Sequence, residues 1–205
     1  MTEIQLNDTK EKILKAAREL FALKGLKGAS VREIASLAEV NIASLNYHFS
    51  SKEKLFLQVI EEIYIETASM ISAQRVKEPE ESAEDFAVWI FSHFISRPGD
   101  MRTFFKMILS EKGWEADIVC EESDDKFGPP GGIALAEAIS TDLKKEISEA
   151  DMFWAVRMIF SNIVHLSLMY SNHFCKLADE HPHQHDLETL KNDIRRLVRI
   201  ILKDI

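Results

Sequence analysis

Glycine and proline are scarce in this chain, 7 and 5 among 205 residues. The β-branched clusters and Gly/Asn hairpin turns of a strand-rich fold are missing as well, so an all-helical fold is expected. Cysteine occurs twice, and Cys120 and Cys175 form neither a metal-ligand spacing nor a disulfide framework. That usage fits a reducing cytoplasm. No segment joins a charged tip, a short apolar run and a cleavage site, so nothing points to secretion. A glycine-rich phosphate loop, a nucleophile elbow and a His-Glu-x-x-His helix are all lacking, which leaves no specified enzyme chemistry, no metal site and no expected cofactor. Repeats and low-complexity tracts are also missing.

What is present is an apolar content of 46%, enough for a core, and an unequal spread of charge. The net charge is −9, which by itself argues against nucleic acid. Residues 1–54, however, hold nine Lys/Arg against seven Asp/Glu, and the remainder holds sixteen against twenty-seven. A mildly basic head on an acidic body can still bind phosphates, while the body's field weakens non-specific adhesion.

Helical periodicity covers most of the chain. Ile13, Ala16, Ala17, Leu20 and Phe21 form one apolar stripe of a first helix over about 9–24, ended by Gly25 and Gly28. Ser30 and Glu33 make a capping box for a second helix, which stops near Ala38. Asn41 can cap a third, with Ile42, Leu45 and Phe49 turned inward and Ala43, Ser44, Asn46, Tyr47 and His48 outward. Two short helices joined by a tight turn, the second presenting hydrogen-bonding side chains, read as a DNA-binding helix-turn-helix. A long fourth helix runs to about residue 75. Further helices are expected over about 79–96, with Pro79 as first residue, 100–112, 133–148, 151–177 with Asp151 as cap, and 187–205. Residues 113–131 read as a long acidic loop, and 179–185 as another.

The eighth helix is apolar nearly all round. Arg157, Asn162 and His165 break up any membrane-spanning window, so it must be covered by protein on every side. Its own domain covers one side. A second copy, packed through helices near 151–178 and 187–203, is the simplest cover for the other, and a two-fold dimer is expected.

From Thr9 to Leu55 the chain resembles the TetR family of bacterial regulators. The resemblance is carried by Ile13 to Phe21, Gly25, Ser30, Val31, Ile34, Ala35, Ala38 to Val40, Leu45, His48, Phe49 and Ser51 to Leu55. It implies an all-helical homodimer with a three-helix DNA-binding head, here 1–54, and a ligand-sensing, dimerising body, here 55–205. It departs from the family where Glu39 replaces a frequent Gly, Ala43 and Ser44 a frequent Gly-Thr, and Asn46 a frequent Tyr. The run from Leu45 to Phe49 is similar to a subgroup that includes regulators of lipid metabolism and drug efflux. No ligand carries over, because the resemblance ends before residue 80.

On this reading Ser30, Arg32, Tyr47, His48 and Lys52 contact DNA phosphates, and Ala43, Ser44 and Asn46 meet bases. Asn46 can bond bidentately to adenine, and the Ala43 methyl can pack on a thymine methyl. In the body, aromatic and Met side chains mostly fill the core. A subset is expected to line an apolar effector cavity: Trp89, Phe105, Trp114, Phe153 and Phe160, with His93, Arg102 and Arg157 as polar anchors. The expected function is a ligand-responsive transcriptional regulator, a repressor released from a palindromic operator. The alternatives are an activator of the same fold, or a helical enzyme or adaptor without DNA. His181, His183 and His185 read as part of a surface loop rather than a metal site.

Overall fold

The computed structural model describes residues 3–108, 127–171 and 186–205, with the side chains of 3–6 and 104–108 left out. Among the described residues there are nine helices and no strand. They are α1 (Glu3–Gly28), α2 (Val31–Leu37), α3 (Ile42–His48), α4 (Lys52–Lys77), α5 (Ala83–Ser96), α6 (Pro98–Ile108), α7 (Gly132–Leu143), α8 (Glu149–Ser171) and α9 (Leu187–Asp204). They form two compact units, one running up to Tyr64 and resuming at Gly99, the other comprising Ile65–Pro98 and the rest of the described chain.

In the first unit, α1 to α3 close over one apolar core. Ile13, Ala17 and Phe21 from α1 meet Ile34 and Ala35 from α2, Leu45 from α3, and Leu55, Phe56 and Val59 from α4. The Phe21 and Phe56 rings pack edge to face at 4.9 Å. Gly25 breaks the helical path of α1 with φ 69°, where the sequence ends that helix. Ser30 caps α2 in a complete capping box with Glu33, and the Asn41 side chain caps α3 by accepting from Ser44 N. Between them Glu39 stands at φ 56°, the left-handed conformation for which glycine is the easier residue.

In the second unit, α5 is enclosed: Phe86, Ala87, Ile90 and Phe91 are fully buried. It packs against α7, α8 and α9. Arg195 and Arg199 of α9 bridge to Asp85 and Glu84 of α5. Arg75 of α4 is buried, donates to Glu81 O and Thr141 Oγ1, and lies over the Phe86 ring.

Four boundaries differ from expectation, and the first is the start of α1, at Glu3 rather than near Thr9. The fifth helix starts at Ala83 rather than Pro79, because Ser82 caps it and the Ala83 N–H is taken by the Asp142 carboxylate at 2.8 Å. The seventh stops at Leu143, where Lys144 turns left-handed at φ 50°. The cap of α8 is Ser148, whose Oγ accepts from Asp151 N, rather than Asp151 itself.

Candidate nucleic-acid interface and effector groove

Leu45 and Phe49 anchor α3 to the core, with 1% and 3% of their surface exposed. That anchoring fixes which face is presented. Ala43, Asn46 and Tyr47 are exposed, Tyr47 at 73%. Ser44 and His48 lie half-buried at the margins. Ile42, expected inward, is 42% exposed instead. Spaced at i, i+1, i+4 and i+5, Ile42, Ala43, Asn46 and Tyr47 make one continuous outward stripe on a helix.

The flanking polar residues are held firmly. Ser30 Oγ donates to Glu33 at 2.8 Å and accepts from Glu33 N at 3.2 Å, so the hydroxyl works as the helix cap expected of it. Lys24 reaches the other oxygen of Glu33. Together Lys24, the Ser30 hydroxyl and the Ser30 N–H hold the Glu33 carboxyl down at about 2, well below the usual carboxylate range. Arg32 is exposed on the same helix. Lys52 donates to the Ala29 carbonyl at 2.9 Å, tying the start of α4 to the residue before the α2 cap and leaving two ammonium hydrogens for other acceptors. The His48 ring sits edge-on to Tyr47 at 5.3 Å, and its Nε2 is buried without a hydrogen-bond partner among the described residues.

A model described as "Bacterial regulatory proteins, tetR family" matches residues 13–59, the stretch that builds this surface. Over residues 13–59 the chain is similar to the DNA-binding head of that family. The HTH-type transcriptional repressor NicS of Pseudomonas putida is 32% identical over 96 residues, covering 46% of this chain and 45% of that protein. The HTH-type transcriptional regulator QacR of Staphylococcus aureus is 43% identical over 51 residues, covering 25% and 27%. These matches span less than half of either relative. Solved structures extend the likeness of fold to the whole chain. A TetR-family transcriptional regulator from Streptomyces coelicolor, 16% identical, has a TM-score of 0.65 over 100% of this chain and 91% of that one. A Clostridium perfringens protein described as a candidate fatty acid metabolism regulator, 26% identical, has a TM-score of 0.59 over 95% and 98%.

The structure gathers three of the eight expected effector-site residues in one place. Phe153, Arg157 and Phe160 line a cleft of about 470 Å³ with Phe127, Gly128, Pro129, Ser161 and Val164. The Arg157 guanidinium lies 5.2 Å from the centre of the Phe153 ring. Phe127 and Pro129 were not singled out for this cleft, since nothing local brings them to α8. Trp89 and His93 stack on each other at 5.4 Å, and Trp89 lines a different, polar cleft with Glu81, Asp85, Lys191 and Arg195. Arg102 is half-buried in the first unit. Trp114, the Phe105 side chain, the acidic stretch 115–125 and His181 to His185 fall outside the described residues.

The cleft uses one face of α8. Trp154 and Met158, one turn apart on the adjacent face, are 41% and 39% exposed. Ile200 of α9 is 56% exposed.

Proposed function

We propose that this chain is a transcriptional repressor that binds a palindromic operator as a two-fold dimer in the cytoplasm and releases it when a small apolar effector binds. The observation that carries the reading is the outward stripe on α3, set on a rigid core within a TetR-type head. Asn46 on that stripe has the donor and acceptor that adenine needs in the major groove, and Ala43 beside it adds a small apolar contact. Arg32, Tyr47, His48 and Lys52 surround the stripe with groups that position the head on the sugar-phosphate backbone.

Residues 1–54 act as the DNA-binding part and 55–205 as the sensing and dimerising part. The exposed Trp154 and Met158 of α8, with Ile200 of α9, support pairing of two copies through those helices. Phe127, Phe153, Phe160 and Val164 support an apolar effector, and Arg157 gives the cleft one charged group. The repressor name of NicS agrees with this direction of control. The α4 helix starts at Lys52 beside the recognition helix and ends at Lys77 in the sensing part. A shift of that helix on effector binding changes the separation of two recognition helices, and half-sites about 34 Å apart tolerate little of it.

The test is selection from random duplex DNA by the purified protein, followed by sedimentation of the complex. The reading expects an inverted repeat, bound by two protomers, with Trp154→Glu weakening self-association. A monomer that enriches no sequence refutes it.

A further inference from the structure

We propose that Ile42 is a specificity residue that recognises the 5-methyl group of one thymine in each half-site, next to the base pair met by Asn46. The inference rests on α3 being the DNA-reading helix and names a part of its readout.

The argument begins with a side chain out of place. Ile42 fits the inward period of Leu45 and Phe49 in the sequence, yet the structure leaves it 42% exposed while those two are buried. It opens α3 and lies one turn before Asn46 on the outward stripe. A β-branched apolar side chain there brings no cap and no helix propensity, and its apolar surface stays in water in the free protein. A polar residue would solvate that position better. An apolar one is favourable where binding buries it.

The neighbours narrow what it meets. The Asn41 side chain is committed to Ser44 N at 2.7 Å, so its carbonyl oxygen is occupied as a cap. Ser44 is half-buried at the edge of the stripe. The base-contacting end of the helix therefore presents Ile42 and Ala43, both apolar, followed by Asn46. In the major groove the apolar group offered by a base edge is the C5 methyl of thymine. Ala43 ends at Cβ, whereas Ile42 reaches two carbons further and carries a branch. Ile42 is the side chain with the length and apolar area to enclose a methyl group while Asn46 bonds to the adjacent pair.

Uracil in place of thymine removes that methyl and leaves every hydrogen-bonding group on the base. The experiment takes the duplex selected by the wild-type protein, replaces each thymine in turn by uracil, and measures binding by fluorescence anisotropy. Thermal unfolding checks that each variant is folded. The wild type is expected to bind about fourfold more weakly at one thymine per half-site, the cost of one unburied methyl group. Ile42→Ala is expected to lose that penalty, Ile42→Val to keep part of it, and Ala43→Gly to keep all of it. The inference is overturned if no uracil weakens the wild type, if the penalty survives in Ile42→Ala, or if Ala43→Gly alone removes it. Selection that yields a clear operator without a uracil effect overturns Ile42 alone. Selection that yields no sequence overturns the DNA-binding reading and this inference with it.

Discussion

The Arg18 guanidinium grips the Asp100 carboxylate with two hydrogen bonds, Nε at 2.7 Å and Nη2 at 2.8 Å. Their side chains are only 25% and 17% exposed. The pair joins α1 to the first turn of α6 within the first unit, where an acidic side chain also suits the helix dipole. Its burial sets it apart from the exposed pairs of this protein, such as Lys12 with Asp8, which contribute little. Asp100→Ala is expected to destabilise the first unit by about 1.5–3 kcal/mol, because it removes both charge-assisted hydrogen bonds that the carboxylate accepts from a half-buried guanidinium. Faster amide hydrogen exchange in α1 is the readout. Arg18→Lys is expected to recover only part of the loss, since an ammonium cannot make the paired contact.

Glu33 gives the head a pH dependence with a defined sign. Its carboxyl is held at about 2 in the folded protein, against an ordinary value of 4.5, chiefly by the hydrogen bond from Lys24. A depressed carboxylate stabilises the fold fully above the ordinary value, and that contribution fades as the pH falls toward the folded one. The stability difference between wild type and Glu33→Gln is therefore expected at pH 7 and should shrink between about pH 4.5 and about pH 2. Urea unfolding of both proteins across that range measures it. A difference that stays constant with pH would assign the cap to geometry alone.

Gly131 is expected to tolerate no side chain. It caps α7 at φ 82°, and a Cβ there would lie 2.5 Å from Ile71 Cγ2 and 2.7 Å from Ile71 Cβ. Gly131→Ala is expected to destabilise the second unit by about 2–4 kcal/mol, combining backbone strain with overpacking against α4. Gly128→Ala has open space around it and carries only the backbone strain of φ 89°, so its thermal unfolding should fall closer to wild type.

Much of the head was legible because its signals are local. Ser30 with Glu33, and Asn41 ahead of Ser44, mark two helix starts by side chains that satisfy free N–H groups a turn away. Ile42 was misread for a related reason. Its spacing to Leu45 and Phe49 matches an inward face, but a helix of seven residues buries only as much as its neighbours cover, and its first turn projects beyond them. The start of α5 was hidden because Pro79 and Ser82 both mark helix starts. The choice between them is reinforced by the Asp142 carboxylate, 59 residues beyond Ala83. The α8 part of the cleft could be read from Phe153, Arg157 and Phe160 at helical spacing. Phe127 and Pro129 reach it through tertiary packing, which leaves no mark in local pattern.

The central claim is that the outward stripe of α3 reads base sequence, and Asn46→Ala tests it most directly. Binding of wild type and variant is compared on the selected operator and on random duplex at one salt concentration. The account predicts at least about a tenfold loss on the operator for the dimer, with random-duplex affinity unchanged. An equal loss on both duplexes, or no loss on either, contradicts it.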